Sequence, residues 1–232
     1  MPSIAVQAHR GSPDPPAGIA ENTLAAFARA RRLGADGVEL DVRRTADGAL
    51  VVHHDAAVAG TGPIAEAGCS ELPDWVPPLE AVLAACAGFE LVDVEIKNSP
   101  FEPGFDPGPG LAEDVAAAVA ASPVAGRVIV TSFHLPTVDA VRAARPELAT
   151  GWLTVPGYDP MAALTAVTER GHAALAPPDG AVTAEVVAAA RAAGVTVIAW
   201  TVDEPERIRQ LAAWEVDACV TNWPGLAVSL VG

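Results

Sequence analysis

Lysine is almost absent from this chain: Lys97 stands alone among fourteen basic side chains, and the other thirteen are arginine. Acids outnumber bases by 29 to 14, and the resulting formal charge of −15 repels phosphate backbones and anionic lipid surfaces. No nucleic-acid partner is expected, and any anionic small molecule must be held by a local cluster of positive charge. Cysteine is scarce as well. Cys69, Cys86 and Cys219 form no CxxC pair, and an odd count does not read as a disulfide framework, so reduced thiols and a cytoplasmic setting are expected. The sequence contains no run of about 18 apolar residues that could span a bilayer. Its opening, MPSIAVQAHRG, lacks the basic start and long apolar stretch of a secretory signal, so no stable membrane anchor is expected.

What the chain does have is rhythm. Apolar, β-like runs at 4–8, 37–42, 91–97, 127–132, 150–153, 173–176, 195–201 and 218–221 alternate with alanine-rich helical patterns. The helical stretches are 23–33, 79–87, 111–121, 135–144, 160–170, 183–193, 205–213 and 224–230. Strand-helix alternation predicts a parallel sheet wrapped by helices, and about eight such units in ~230–250 residues is the arithmetic of a (β/α)8 TIM barrel. A doubly wound sheet would place a glycine-rich phosphate turn after its first strand, where this chain has His9-Arg10-Gly11. We therefore expect an α/β TIM barrel forming one domain over residues 1–232. A short extra strand at 50–54 and a loop-rich insertion, 55–78, should follow its second strand, and 98–109, with four prolines, should form another loop.

Several polar residues interrupt the apolar strands. In GVELDV, Glu39 and Asp41 lie two apart and share a face, while Val38, Leu40 and Val42 take the other. In LVDVEIK, Glu95 and Lys97 share a face with Leu91 and Asp93, opposite Val92, Val94 and Ile96. If the valine and isoleucine sides meet the helices, Glu39, Asp41 and Glu95 point into the barrel. Buried carboxylates are costly unless paired or bound to a metal. Three converging at strand ends make an all-oxygen site suited to one divalent cation, Mg²⁺ or Ca²⁺, with Mn²⁺ possible. The competing reading is a set of salt bridges to Arg10, Arg43 or Lys97.

Of the five histidines, His9 ends the first strand and His54 the extra one. Two strand-end imidazoles near a carboxylate cluster suit general acid-base work. His53 should face away from its neighbour. His134 and His172 have no partner pattern and read as structural.

The motifs HRG, ENTLAAF, DGVELDV, VVHHD, VEIKN and AWTVD, in that order from residue 4 to about 224, resemble the glycerophosphodiester phosphodiesterase family. The resemblance implies a (β/α)8 barrel that uses a divalent cation to hydrolyse glycerophosphodiesters to an alcohol and glycerol 3-phosphate. It implies Glu39, Asp41 and Glu95 as metal ligands, and His9 and His54 as the acid-base pair. Arg10 and Lys97 would hold phosphate oxygens, and Trp200 would wall the glycerol pocket. The partner implied is a small glycerophosphodiester. Two departures stand out: the segment after His54-Asp55 lacks the family's Arg-Thr-Thr ending, and Thr221-Asn222-Trp223-Pro224 replaces a Thr-Asp-x-Pro pattern. Other readings on the same barrel are a phospholipase D of the sphingomyelinase type, a non-catalytic phosphodiester-binding barrel, and a metal-dependent isomerase or lyase. A non-catalytic barrel should have lost a histidine or a carboxylate, and none is missing.

Overall fold

The computed structural model describes residues 4–232. Eight parallel strands close a barrel: β1 (Ala5–Ala8) and β2 (Gly37–Arg44) come first. The extra strand β3 (Leu50–Val52) runs antiparallel on the end of β2, and β4 (Ala57–Val58) and β5 (Gly62–Pro63) form a separate small hairpin. The barrel then continues through β6 (Leu91–Ile96), β7 (Val128–Ser132), β8 (Ala149–Leu153), β9 (Ala174–Ala176), β10 (Thr196–Ala199) and β11 (Ala218–Thr221). Each pairs with its neighbour in parallel, and β1 pairs with both β2 and β11, which closes the ring. Helices α1 (Leu24–Arg32), α2 (Leu79–Ala85), α3 (Gly110–Ala120), α4 (Leu135–Ala144), α5 (Pro160–Arg170), α6 (Ala184–Ala193), α7 (Pro205–Ala213) and α8 (Pro224–Val231) surround it. None is long and apolar enough to cross a membrane among the described residues.

The helix boundaries follow from local chemistry. The Thr23 side chain caps α1 by accepting from Ala26 N, and Asp159 and Thr183 do the same for α5 and α6. Proline occupies the first turn of α4, α5, α7 and α8, where its missing N–H costs no intrahelical bond. Between β1 and α1 the turn needs Gly11: its φ is +74°, and a Cβ there would sit 2.8 Å from the Ala26 carbonyl carbon.

Two faces of the strands build two kinds of core. Val38, Leu40, Val42, Val92, Val94 and Ile96 point outward and pack with Phe27, Leu79, Leu83, Leu111 and Val115 of the helices. Fully buried side chains of this kind contribute ~1.5–3 kcal/mol each. Inside the barrel, Ile129, Leu153, Ala174, Ala176, Ile198, Ala218 and Val220 form a separate cluster. This interior plug is made by β7 to β11, whereas β1, β2 and β6 send Gln7, Glu39, Asp41, Asp93 and Glu95 into the buried interior. The barrel is thus apolar along one arc and acidic along the other.

Three strand bounds are corrected. The extra strand stops at Val52 rather than 54; beyond it a bond from His53 N to Asp41 O remains, and the chain turns into the mouth. The strand expected over 91–97 ends at Ile96, and that over 195–201 is Thr196–Ala199, with Trp200 in a lone bridge to Pro178. The insertion at 55–78 is loop-rich, as expected. It folds over its own small core of Val51, Val58, Ile64, Ala67, Leu72 and Val76.

Candidate active site

Register brings the acidic residues together. Glu39 lies beside Asp93, and Asp41 beside Glu95, across the β2–β6 pair. Because β-strand side chains alternate, all four carboxylates point inward as a two-by-two block. All four are buried. Glu39, Asp41 and Glu95 each offer an oxygen within 4.8 Å of the others, a spacing that one cation can bridge. Asp93, level with Glu39, accepts from Thr131 Oγ1 at 2.6 Å. Sequence reading placed Asp93 on this face but did not count it in the cluster.

The block is partly compensated. Lys97 Nζ lies 2.9 Å from Asp41 Oδ1 and 2.7 Å from Glu95 Oε1, and Arg10 Nε is 3.5 Å from Asp41 Oδ2. Asn22 Nδ2 donates to Asp41 Oδ2 at 2.7 Å. Arg43 takes no part in it: its guanidinium binds the His54 carbonyl oxygen and pairs with Glu102. So the salt-bridge reading holds for Arg10 and Lys97 and fails for Arg43.

These contacts set the charges. Burial works against the Asp41 carboxylate, yet Lys97, Arg10 and the Asn22 hydrogen bond outweigh it and hold that carboxyl below its ordinary range. Burial pushes Glu95 up to about 7 despite Lys97, and pushes Asp93 up to about 7 despite Thr131. Glu39 is raised well above its ordinary value by burial and then by Asp41 and Glu95. Burial depresses Lys97, but Glu95 and Asp41 more than reverse this and raise it. The Glu39 carboxyl is also short of partners. Its Oε2 accepts from Arg10 N at 2.8 Å, but Oε1 is buried with no hydrogen-bond partner. An orphaned carboxylate oxygen beside two other carboxylates suits a cation ligand.

His9, Arg10, Glu39, His54, Glu95, Lys97 and Trp200 line one cavity of about 170 Å³ at the barrel mouth. Asp41 is 1% exposed and sits behind Lys97 and Arg10, which line the cavity. The two histidines are held differently. Asn222 Nδ2 donates to Asp203 Oδ2 at 2.7 Å, which leaves Asn222 Oδ1 to accept from His9 Nδ1 at 2.8 Å. His9 Nδ1 therefore carries a proton, and Nε2 faces Glu39 Oε2 at 3.9 Å. Burial lowers the His9 pKa, the Asn222 bond notwithstanding. His54 Nδ1 meets a carboxylate instead, Asp55 Oδ1 at 2.8 Å. Trp200 is anchored by Nε1 donating to Ala176 O and packs edge-on against Phe133, 5.3 Å between centroids.

His53 turns away to pack edge-on against Trp75. His172 is buried far from this cluster between Thr150 and Asp139. His134 bonds Thr137 and borders a neighbouring cavity. Sequence reading assigned no role to Asn22, Asp55, Asp203, Asn222 or Phe133. Asn22 lay inside the quoted ENT motif, Asp55 inside VVHHD and Asp203 inside AWTVD, so these three were within reach. Asp203 and Asn222 are joined to His9 only by barrel closure, 194 and 213 residues along the chain.

Comparison with known proteins agrees over nearly the whole length. The profile of the Glycerophosphoryl diester phosphodiesterase family matches residues 9–226. A glycerophosphodiester phosphodiesterase of Caldanaerobacter subterraneus subsp. tengcongensis is 31% identical, with 97% of each chain covered. Among solved structures, a putative glycerophosphoryl diester phosphodiesterase from Silicibacter pomeroyi superimposes with a TM-score of 0.82 at 28% identity, covering 100% of this chain and 94% of that one. An Oleispira antarctica phosphodiesterase, solved in complex with the product sn-glycerol-3-phosphate, shares the fold with a TM-score of 0.79 at 23% identity, covering 99% and 97%.

Proposed function

The chain belongs to the glycerophosphoryl diester phosphodiesterase family and is a phosphoric diester hydrolase, and we propose that it cleaves glycerophosphodiesters such as glycerophosphocholine or glycerophosphoethanolamine at a divalent-cation site, by two-histidine acid-base catalysis. The observation that carries this reading is the convergence of Glu39, Asp41 and Glu95, one oxygen orphaned, in a cavity that His9 and His54 both line.

Glu39, Asp41 and Glu95 would hold the cation, Mg²⁺ or Ca²⁺ on the chemistry of three carboxylates, with Mn²⁺ possible. When bound, it supplies charge neutralisation to the phosphate and acidifies a hydroxyl beside it. Arg10 and Lys97 reach the same cavity and offset charge that develops on the nonbridging oxygens. This makes a positive spot in a protein of net charge −15.

The proton traffic follows from how each imidazole is held. Burial favours the neutral form of His9 against the pull of the Asn222 bond, and with Nδ1 donating to Asn222 the Nε2 lone pair is the one that can take a proton from the nucleophile. The nucleophile is water, or the glycerol 2-hydroxyl attacking first to give a cyclic phosphate that water then opens. His54 rests on the Asp55 carboxylate, which can balance an imidazolium, and it delivers a proton to the alcohol oxygen as the phosphorus–oxygen bond breaks. The products are an alcohol and glycerol 3-phosphate. Trp200 and Phe133 give the cavity an apolar side.

The test is chelation. Turnover of glycerophosphocholine should cease in excess EDTA and return with Mg²⁺ or Ca²⁺; full turnover in the chelator would sink the metal assignment.

A further inference from the structure

Beside the catalytic cavity lies a second, larger one of about 550 Å³. The two meet along His54, Glu95, Lys97, Phe133 and Trp200, which wall both, whereas His9 and Arg10 wall only the smaller. We propose that the larger cavity is the subsite of the leaving alcohol and that it selects uncharged aliphatic or aromatic alcohols over polyols. The inference rests on the phosphodiesterase reading above and names the substrate class of the same site.

A phosphodiester has two arms. With its phosphate at the junction beside His54 and Lys97, one arm enters the cavity of about 170 Å³ and the other the cavity of about 550 Å³. Glycerol is small and hydroxylated and suits the smaller space, where Arg10, Glu39, Asp93 and Thr131 reach the wall. The second arm then lies on the side where His54, but not His9, is present. That is where a departing alkoxide needs its proton.

The walls of the larger cavity decide the chemistry. Phe101, Phe133, Val155 and Trp200 supply apolar surface, and Phe101 and Val155 are 95% and 53% exposed, open to cover by a bound group. Most of the polar groups around them are already spent, the Ser99 hydroxyl proton and His134 Nε2 being the exceptions. Asn98 Nδ2 donates to Asp106 O and Thr137 Oγ1, and its Oδ1 accepts from Asp106 N. Ser132 Oγ donates to Ile96 O and accepts from His134 N, and the Glu102 carboxylate is matched by Arg43 at 2.9 Å. A polyol entering here sheds water for few partners, which costs affinity. A quaternary ammonium finds aromatic faces but no unmatched carboxylate, and the Lys97 ammonium, 6.0 Å from the Phe133 ring centre, opposes it.

A homologous series decides this: the methyl, propyl and pentyl esters of sn-glycerol 3-phosphate, whose alcohols are nearly equal in acidity and differ only in length. Steady-state kcat/KM should rise roughly two- to fourfold per methylene, with glycerophosphoglycerol no better than the methyl ester. Phe101→Ser combined with Val155→Ser, two exposed positions outside the smaller cavity, should flatten the slope. A flat or falling series in the wild-type protein, or glycerophosphoglycerol outrunning the pentyl ester, overturns the inference while leaving the diesterase reading intact. No hydrolysis of any ester, the methyl one included, overturns both.

Discussion

Replacing Lys97 by methionine removes a charge and keeps the length of the side chain. Its ammonium lies 2.7 Å from Glu95 and 2.9 Å from Asp41, and only 12% of the side chain reaches solvent. Removing one partner of a buried ion pair costs about 3–5 kcal/mol. In a domain of this size each kcal/mol moves the melting temperature by about 2–4 °C, so the metal-free variant should melt roughly 6–20 °C below the wild type at pH 8. At pH 6 the deficit should narrow, because Glu95, already pushed up to about 7 by burial, takes up a proton instead of standing uncompensated. Mg²⁺ should narrow it at pH 8 as well, since it supplies the positive charge that the variant lacks. Scanning calorimetry of both proteins at both pH values, with and without the ion, reads every term. A metal-free variant melting within about 2 °C of the wild type at pH 8 would refute the counter-charge argument. A gap that the ion leaves unchanged would refute the cluster as a cation site.

Four further outcomes are expected. Lys97→Arg keeps the charge, but its longer, forked head meets the two carboxylates and the Phe133 ring in a confined space; kcat/KM should approach that of Lys97→Ala, and wild-type turnover would end the size argument. His9→Ala and His54→Ala should each lower kcat by ~10²–10⁴, whereas His53→Ala, whose ring packs on Trp75, should leave turnover nearly unchanged; the reverse ranking of 53 and 54 would overturn the assignment. Asn222→Ala should release the His9 ring, lowering kcat by about 10–100-fold with little change in KM, and ¹⁵N-histidine NMR should show His9 losing its preference for the Nδ1–H tautomer; an unchanged tautomer would remove the positioning role. Asp93 has a folded pKa raised to about 7, so its contribution to stability is present in acid and lost as pH rises through that value. Asp93→Asn keeps an acceptor for Thr131 and should therefore stabilise the metal-free protein at pH 8, by at most about 4 kcal/mol, with little effect at pH 4; equal melting curves at pH 8 would contradict the buried-charge account.

Much of this was legible in the sequence because both faces of the strands have simple rules. Alternation put Val38, Leu40 and Val42 outward and Glu39 and Asp41 inward, and the same parity located Glu95 and Lys97. The helices were readable as alanine-rich runs between the strands, and Thr23 and Thr183 prove to cap two of them. What was hidden depends on closure. Asn222 and Asp203 reach His9 only because β11 pairs with β1, a contact with no local signature. The strand ends were misjudged for a related reason. His54, Lys97 and Trp200 continue an apolar run in sequence, yet the ladder stops before them and the chain opens into the mouth, which frees those side chains to line a cavity. The larger cavity was equally invisible, since Phe101, Phe133 and Val155 come from three separate loops.

The account stands or falls on which bond breaks and what that requires. Glycerophosphocholine incubated with the protein and followed by ³¹P NMR should yield glycerol 3-phosphate and no phosphocholine, in the presence of Mg²⁺ or Ca²⁺ and not in excess chelator. Phosphocholine as the phosphorus-bearing product, or glycerol 3-phosphate formed at the same rate in the chelator, would contradict it.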